Sequence, residues 1–322
     1  MQEMILNRIK ELMDGGEFDR VLGWETGDLP CDRVPRAFGK NELEGLRYDD
    51  FCGSNLSKYL ISQMSVPGKI IALLKPCDTY SLNQLCTEHR VDRDRVYALG
   101  VGCRGKVDAE KLRRAGIVGI LGVTEKDGIL YVDTLYGEKQ ISRGDVLLDK
   151  CLACKGKQHI GVDEVIGESE DTTAGDKFEL VRRLEAMSPE ERFEFWRGEL
   201  SKCIRCNACR NVCPACSCVK CVFDNPKTGI ATKASADDFE ENMFHIIRAY
   251  HVAGRCTDCG ECSRVCPQGI PLHLLNRKII KDIDDFYGDY QAGESIGQRH
   301  PLTDFTLDDA EAGIDSAKGG HR

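Results

Sequence analysis

The spacing of apolar residues predicts an alternation of helices and short strands in the first part of the chain. Residues 2–14 place an apolar side chain every three or four positions, which is typical of an amphipathic helix. A mixed apolar segment at 20–25 indicates a strand, and the loop-forming residues that follow it separate this strand from a second helix. The expected elements are a helix at 2–14, a strand at 20–25, a loop at 30–45 and a helix at 56–64.

Two short, mainly apolar runs, 69–75 and 95–101, predict buried strands. Each is followed by a helix, and Asp78 is the expected cap of the first one. A hairpin is expected further on. The alternation of strand and helix predicts an α/β domain with a largely parallel sheet over residues 1–166. The remaining expected elements are helices at 78–85 and 109–115 and a hairpin of 129–134 with 139–142.

Several segments of the second half have helical spacing. A polar, acidic segment at 167–176 is expected to be a linker. Ser188, Pro189 and Glu191 have the order of a helix N-terminus with a capping box. The sequence therefore predicts a mainly α-helical domain at 177–287 and an acidic tail at 288–322. The expected helices are 177–187, one that starts at Ser188, 237–252 and 271–287.

Composition limits where the protein works and what it binds. The net charge of −9 argues against nucleic acid, because phosphate binding requires a basic surface. Eighteen cysteines in 322 residues do not have the density of a small secreted disulfide scaffold. The first residues lack a signal peptide's apolar core, and no run is long and apolar enough for membrane insertion. These features predict a cytoplasmic protein with reduced thiols.

Two cysteine runs share the pattern C-x2-C-x2-C-x3-C-P. Bacterial ferredoxins bind iron–sulfur clusters with this pattern, and in two-cluster proteins the fourth cysteine of each run binds the other cluster. Pro214 and Pro267 direct the chain away from the cluster after each fourth cysteine. We therefore expect two 4Fe-4S clusters. The predicted ligands are Cys203, Cys206, Cys209 and Cys266 for cluster one, and Cys256, Cys259, Cys262 and Cys213 for cluster two.

Zinc and disulfides are the alternatives for these two runs, although structural zinc generally uses two separated cysteine pairs. Three more cysteines, Cys216, Cys218 and Cys221, exceed what two clusters need, and their spacing does not assign them a role.

Four cysteines in the first half follow predicted strands or form a C-x2-C pair. Because parallel strands end at one edge of their sheet, the residues that follow them meet there. We predict a third 4Fe-4S cluster with the ligands Cys77, Cys103, Cys151 and Cys154. The alternatives are small buried cysteines with a separate redox or zinc pair, or zinc at all four positions. Cys31, Cys52 and Cys86 are isolated and expected to be structural, with Cys52 the one that could lie at the mouth of this site.

The motif G-x-G-x-x-G at 100–105 follows a predicted strand and matches a dinucleotide-binding fingerprint. The helix behind it is short, and a cysteine stands in its middle. A tight glycine loop around Cys103 explains the motif more simply.

The first half resembles the beta subunits of coenzyme F420 hydrogenases and formate dehydrogenases. Together with residues 203–218 it also resembles the iron–sulfur subunits of anaerobic sulfite reductase and of hydrogenase/sulfur-reductase complexes, while residues 256–270 are similar to the two-cluster subunit of heterodisulfide reductase. The segments that carry the first resemblance are Lys75-Pro76-Cys77-Asp78, Gly100-Val101-Gly102-Cys103 and Cys151-Leu152-Ala153-Cys154.

The resemblance implies a non-catalytic electron-transfer subunit of an anaerobic oxidoreductase complex, which relays single electrons between catalytic and flavin-containing partners, with ferredoxin as another possible partner. In the beta-subunit family, the cysteine domain also holds a flavin that exchanges hydride with the deazaflavin. Only about fifty residues separate Cys103 from Cys151, fewer than that flavin-binding part has. A reductase or dehydrogenase with FAD or FMN that takes hydride from a deazaflavin or nicotinamide is the first alternative, and a non-redox structural adaptor is the second.

Overall fold

A computed structural model describes residues 1–154, 158–172, 175–225, 227 and 238–302. An α/β region with two sheets is followed by a helical region, so that the predicted fold class is confirmed at this level. The strands are β1 (Phe18–Thr26), β2 (Arg33–Gly39), β3 (Lys69–Leu74), β4 (Val96–Val101), β5 (Ile120–Lys126), β6 (Ile129–Thr134), β7 (Lys139–Ser142) and β8 (Glu164–Ile166).

Helices cover the main sheet and are the main regular structure of the second half. No helix among the described residues is both long enough and apolar enough to span a membrane. The helices are α1 (Gln2–Asp14), α2 (Ser57–Gln63), α3 (Pro76–Thr87), α4 (Ala109–Arg114), α5 (Asp149–Leu152), α6 (Glu179–Glu185), α7 (Pro189–Leu200), α8 (Ala208–Asn211), α9 (Asp238–His251), α10 (Glu261–Arg264) and α11 (His273–Tyr287).

The main sheet has the strand order β2-β1-β3-β4-β8. Strand β2 is antiparallel to β1, whereas β1, β3, β4 and β8 run parallel to one another. Residues 70–74 of β3 are fully buried, as expected for a central parallel strand that is covered on both faces. Helix α1 adds Ile5 and Ile9 to the same core, and Trp24 of β1 is also buried in it.

The carboxyl ends of β3 and β4 lie side by side, since Leu74 is in register with Gly100. Helix α3 begins at Pro76, two residues before the expected cap. Asp78 nevertheless satisfies the helix start, because its carboxylate accepts the backbone N–H of Lys75 at 3.1 Å. Cys77 is thereby held in the first turn of α3.

A second sheet, β5-β6-β7, is antiparallel and confirms the predicted hairpin. Its apolar face packs against α4 around Leu112, Leu130 and Val132.

Two strands escaped the pattern analysis. Strand β2 lies within the expected loop at 30–45 and contains Pro35, which lacks a backbone N–H. An edge strand tolerates this proline, because only one of its sides is paired, and here β1 alone supplies the pairing. Strand β8 has three residues, too few to show a periodicity, and pairs with the end of β4.

The segments expected to be a linker and a tail contact the folded regions. In the segment 167–176, the Ser169 hydroxyl accepts the backbone N–H of Cys103 at 3.1 Å. In the part of the tail that is described, Tyr290 donates to the Gly254 carbonyl at 2.8 Å and the Gly297 N–H donates to Thr87 at 2.9 Å. Residues 303–322 of the tail lie outside the described residues. The domain boundaries stay predictions.

A buried ion-pair network joins the two regions. Glu261 of α10 is 1% exposed and pairs with Lys150 of α5 and, at 2.8 Å, with Arg264. Lys150 also donates to the Gly53 carbonyl at 2.6 Å. Burial raises the pKa of Glu261, but Arg264 and Lys150 together lower it below its usual range, so that the carboxylate is ionised.

We predict that Glu261→Gln lowers the free energy of unfolding by about 3 kcal/mol, because two buried cations lose their counterion. Urea unfolding of protein purified without oxygen measures this loss. Glu110→Gln is the matched control, since Glu110 pairs with Arg113 and Arg114 at the protein surface and screening by solvent weakens those pairs. Equal losses in the two variants would contradict the prediction.

Candidate iron–sulfur site

The two cysteine runs share one backbone conformation. Arg205 and Asn207 of the first run have φ angles of 52° and 61°, and the corresponding Asp258 and Gly260 have 53° and 68°. Left-handed residues in such a turn point successive backbone N–H groups into a concavity that favours anions, including iron–sulfur clusters. The repeat in the sequence is therefore also a repeat in the structure.

The predicted ligands of cluster one meet in a small cavity of about 20 Å³, which Phe244 and His245 also line. Three come from the first run and the fourth from the second run, as the ferredoxin pattern requires. Cys206 is exposed, so that this cavity reaches the protein surface. The ligands gathered there are Cys203, Cys206, Cys209 and Cys266.

The predicted ligands of cluster two are neighbours in a more deeply buried place. Burial, with negative charge on Cys213 as a further cause, raises the pKa of Cys262 to about 11 and that of Cys256 to about 12. Burial likewise raises the pKa of Cys259, where Glu261 and Cys213 add to the effect. Cys213 is thus close to all three cysteines of the second run.

The spacing of the predicted ligands bears on the choice between a cluster and zinc. Tetrahedral zinc with Zn–S bonds of about 2.3 Å holds its sulfurs roughly 3.8 Å apart. Across the described residues, the group of three His, Cys, Asp or Glu ligand atoms found within 4.8 Å of one another is Cys203, Glu241 and His245. None of the four-cysteine sets is among the groups gathered that tightly in the described residues.

The first-half cysteines also meet in one place. Cys77 follows β3, Cys103 follows β4, Cys151 lies in α5 and Cys154 lies just after it. All four line a cavity of about 30 Å³, and Cys259 of the second run lines the same cavity. The first-half site therefore adjoins the ligands predicted for cluster two.

Three lysines surround this first-half cavity. Lys75 and Lys106 are 1% and 4% exposed, and Lys150 lines the same wall. Lys75 pairs with Asp78 at 2.8 Å and lies 4.4 Å from the centre of the Trp24 ring. Buried cations of this kind offset the negative charge of a cluster with four thiolates. Small apolar cysteines alone would not need them.

Burial raises the pKa of the Cys77 thiol, and Asp78 raises it further, while Lys150 and Lys75 act in the opposite direction. The free thiol is therefore neutral. Metal binding has to displace its proton, because the thiolate is the ligand.

The glycine motif at 100–105 serves chain packing. A Cβ atom at Gly102 would lie 2.4 Å from the Glu168 carbonyl oxygen, and one at Gly100 would lie 2.9 Å from the His159 ring. Helix α4 starts only at Ala109, too late to present its N-terminus to a ligand held by the motif. The glycines allow the close approach of residues 159–168.

The isolated cysteines Cys52 and Cys86 are buried in the main core, as expected of structural residues. Cys52 receives a hydrogen bond from the Asp49 N–H at 3.3 Å. It does not line the first-half cavity. Cys31 is partly buried at the start of β2.

His245 is a site residue that spacing did not reveal. Its Nε2 lies 3.3 Å from the Cys203 sulfur, and its Nδ1 has no hydrogen-bond partner. Burial, with the nearby Arg248 and Arg205 as further causes, lowers its pKa to about 3. The ring is neutral, and we assign the proton to Nε2, which donates to the sulfur. The signal available in the sequence was the helical spacing of α9, which places His245 on the same helix as Phe244 and Arg248.

The surplus cysteines Cys216, Cys218 and Cys221 line a cavity of about 360 Å³ beside cluster two's fourth ligand. The Cys216 thiol donates a hydrogen bond to Cys213, which lowers the pKa of Cys213 to about 6 and raises that of Cys216. Cys216 therefore forms a hydrogen bond to a predicted ligand and does not itself belong to the predicted ligand set.

Residues 199–270 match the family model of the 4Fe-4S dicluster domain. A putative ferredoxin-3 of Sinorhizobium fredii is 30% identical over 79 residues, which cover 24% of this chain and 75% of that ferredoxin. The family match spans the two cysteine runs.

Two longer relatives extend the similarity to the α/β region. The F420-dependent formate dehydrogenase subunit beta of Methanocaldococcus jannaschii is 22% identical over 87% of this chain and 88% of its own length. The corresponding subunit of formate dehydrogenase 1 of Methanococcus maripaludis is 25% identical over 76% of this chain and 78% of its own.

A solved structure of the F420-reducing [NiFe] hydrogenase complex from Methanosarcina barkeri contains a chain that matches 61% of this chain and 84% of itself, with 12% identity and a TM-score of 0.38. A similarity at that level adds nothing to the assignment. The two formate dehydrogenase relatives and the dicluster model carry it. We conclude that the chain is an iron–sulfur protein homologous over most of its length to F420-dependent formate dehydrogenase beta subunits, and that its residues 199–270 belong to the 4Fe-4S dicluster domain family.

Proposed function

We propose that the protein relays single electrons between partner subunits of an anaerobic oxidoreductase complex through three 4Fe-4S clusters. The observation that carries this proposal is the position of Cys259, which belongs to the ligand set of cluster two and also lines the cavity of Cys77, Cys103, Cys151 and Cys154. The first-half set and the set of cluster two are thus continuous. Bound clusters would supply one-electron chemistry, and the chain determines their order and surroundings.

The order of the ligand sets defines a path. The first-half site adjoins cluster two through Cys259, and cluster two adjoins cluster one, because Cys209 lies close enough to Cys262 to raise its pKa along with burial and Cys213. Cluster one reaches the surface at Cys206, beside the exposed Ile204. We propose that one partner docks at this end and another beside the α/β region.

The identity of the partners follows by analogy with the relatives. Those relatives are named as beta subunits of F420-dependent formate dehydrogenases. We therefore propose a deazaflavin-linked complex, in which a catalytic subunit lies at one end of the path and hydride chemistry on a flavin at the other. The first-half cavity has a volume of about 30 Å³, far below the roughly 300 Å³ of a site for an organic cofactor. This supports a flavin on a partner rather than on Cys77 and its neighbours.

Metal analysis tests the proposal. Protein made and purified without oxygen is expected to contain about twelve irons and equal sulfide per chain, with no zinc and no flavin, because three clusters hold four irons each. About eight irons with a bound flavin would overturn the third cluster and favour the flavin reductase. Zinc in place of iron, or clusters that cannot be reduced in the complex, would favour a structural adaptor.

We predict that Cys206→Ala removes iron from cluster one and leaves the first-half site loaded, since Cys206 belongs to one set alone. Cys77→Ala should have the reverse effect. Iron content, sulfide content and electron paramagnetic resonance spectra of the reduced protein measure both. Cys86→Ala is the control, because Cys86 lies in the main core away from every set. Loss of all iron in either ligand variant would contradict separate sites.

We predict that His245→Leu lowers the reduction potential of one dicluster centre. The Nε2 hydrogen bond reduces negative charge on the Cys203 sulfur, and a bond of about 1 kcal/mol corresponds to roughly 40 mV for one electron. Redox titration followed by electron paramagnetic resonance measures the change. His251→Leu, an exposed histidine on the same helix, is the control and should leave every potential in place. An unchanged potential in His245→Leu would refute this role.

A further inference from the structure

Arg248 of α9 is a buried cation without a hydrogen-bond acceptor. Its side chain is 1% exposed, and the structure gives Nε, Nη1 and Nη2 no partner. A buried guanidinium whose five N–H groups stay unsatisfied costs several kcal/mol. A folded protein does not keep such a guanidinium without hydrogen-bond acceptors. The acceptors of Arg248 therefore have to be groups that the polypeptide without bound metal lacks.

The surroundings of Arg248 are thiols from both ligand sets. The thiols of Cys262, Cys213, Cys209 and Cys216 lie close enough to interact electrostatically with the guanidinium, which an arginine keeps protonated at any ordinary pH. Cys209 belongs to cluster one, whereas Cys262 and Cys213 belong to cluster two. The guanidinium therefore lies within electrostatic reach of both sets.

Other basic side chains near the surplus cysteines already have oxygen partners. Lys58 donates to the Cys216 carbonyl at 2.5 Å, Arg210 pairs with Asp224 at 2.8 Å and Arg255 pairs with Glu88 at 2.8 Å. Arg248 lines the same cavity and lacks such an oxygen. Its free donors are consistent with sulfur acceptors on the side of the two cysteine runs.

We propose that Arg248 is a shared positioning residue, which donates N–H groups to sulfur at both dicluster centres and raises the reduction potential of each. The inference rests on the proposed function, because it needs clusters at both sets. Each reduction adds one electron and no proton, since the guanidinium stays charged. One cation near two negatively charged centres attracts both, and this attraction offsets part of their mutual repulsion.

The hydrogen bonds of the neighbouring side chains distinguish their roles from the shared role of Arg248. The hydrogen bond of His245 goes to the Cys203 sulfur of cluster one, and Arg205 is held by both oxygens of Glu241 at 2.8 and 2.9 Å. A change at His245 should therefore affect one centre, whereas a change at Arg248 should affect two. Arg248 does not line the first-half cavity, and the centre predicted there provides an internal reference.

The test is a redox titration of the full protein, followed by electron paramagnetic resonance, for wild type, Arg248→Met and Arg248→Lys. In Arg248→Met, the equilibrium constants for reduction of both dicluster centres should fall by roughly tenfold, as expected from lost charge-assisted hydrogen bonds. Arg248→Lys keeps the charge and should recover most of this loss. The first-half centre should not change in either variant.

A second measurement uses the unaltered protein. Arginine labelled with ¹⁵N in the guanidinium should give a weak nitrogen hyperfine coupling at both reduced dicluster centres, and Arg248→Lys should remove it. Full iron content with unchanged potentials, a change at one centre alone, or a coupling at one centre alone would each overturn the shared role. If Arg248→Met does not bind iron, the labelled wild type decides. Wild type that lacks iron at these cysteines would instead refute the proposed function.

Discussion

The exchange of the fourth cysteine between the two runs is the constraint on which the helical region depends. Cys266 has to reach the first run and Cys213 the second, so neither set is complete without the other half of the repeat. Both runs adopt the same left-handed turns, and the long helices α7, α9 and α11 hold them against each other. Folding and cluster binding are thereby coupled, as in other proteins whose metal ligands come from distant parts of the chain.

Buried charged side chains near the cysteines are a second feature of the structure. Buried charges are costly unless they are paired, yet Lys75, Lys106 and Arg248 are nearly inaccessible and lie around cysteines. Some are compensated by oxygens, as Lys75 is by Asp78, and Arg248 is not. The arrangement is understandable in a protein whose cysteines become thiolates around an anionic core, because the cations then have their counterpart.

The two regions form one continuous object rather than two modules on a tether. The Lys150–Glu261–Arg264 network and the contact of Cys259 with the first-half cavity bring the edge of the α/β sheet against the second cysteine run. An electron path requires this closeness. The closeness of the two regions also explains why the segment at 167–176 packs beside Cys103.

The sequence by itself determined the local features: the long helices, the central strands β3 and β4, and the two cysteine runs from which the ligand sets are predicted, because periodicity and ligand spacing are properties of neighbouring residues. Only the tertiary structure decided what depends on distant residues. Residues expected to form a loop are strand β2, because they pair with β1. Cys259 lies at the first-half cavity, and His245 and Arg248 lie beside thiols that are remote in the chain. Such contacts depend on the complementary shape and charge of residues that are distant in the chain, and a local sequence pattern does not contain that information.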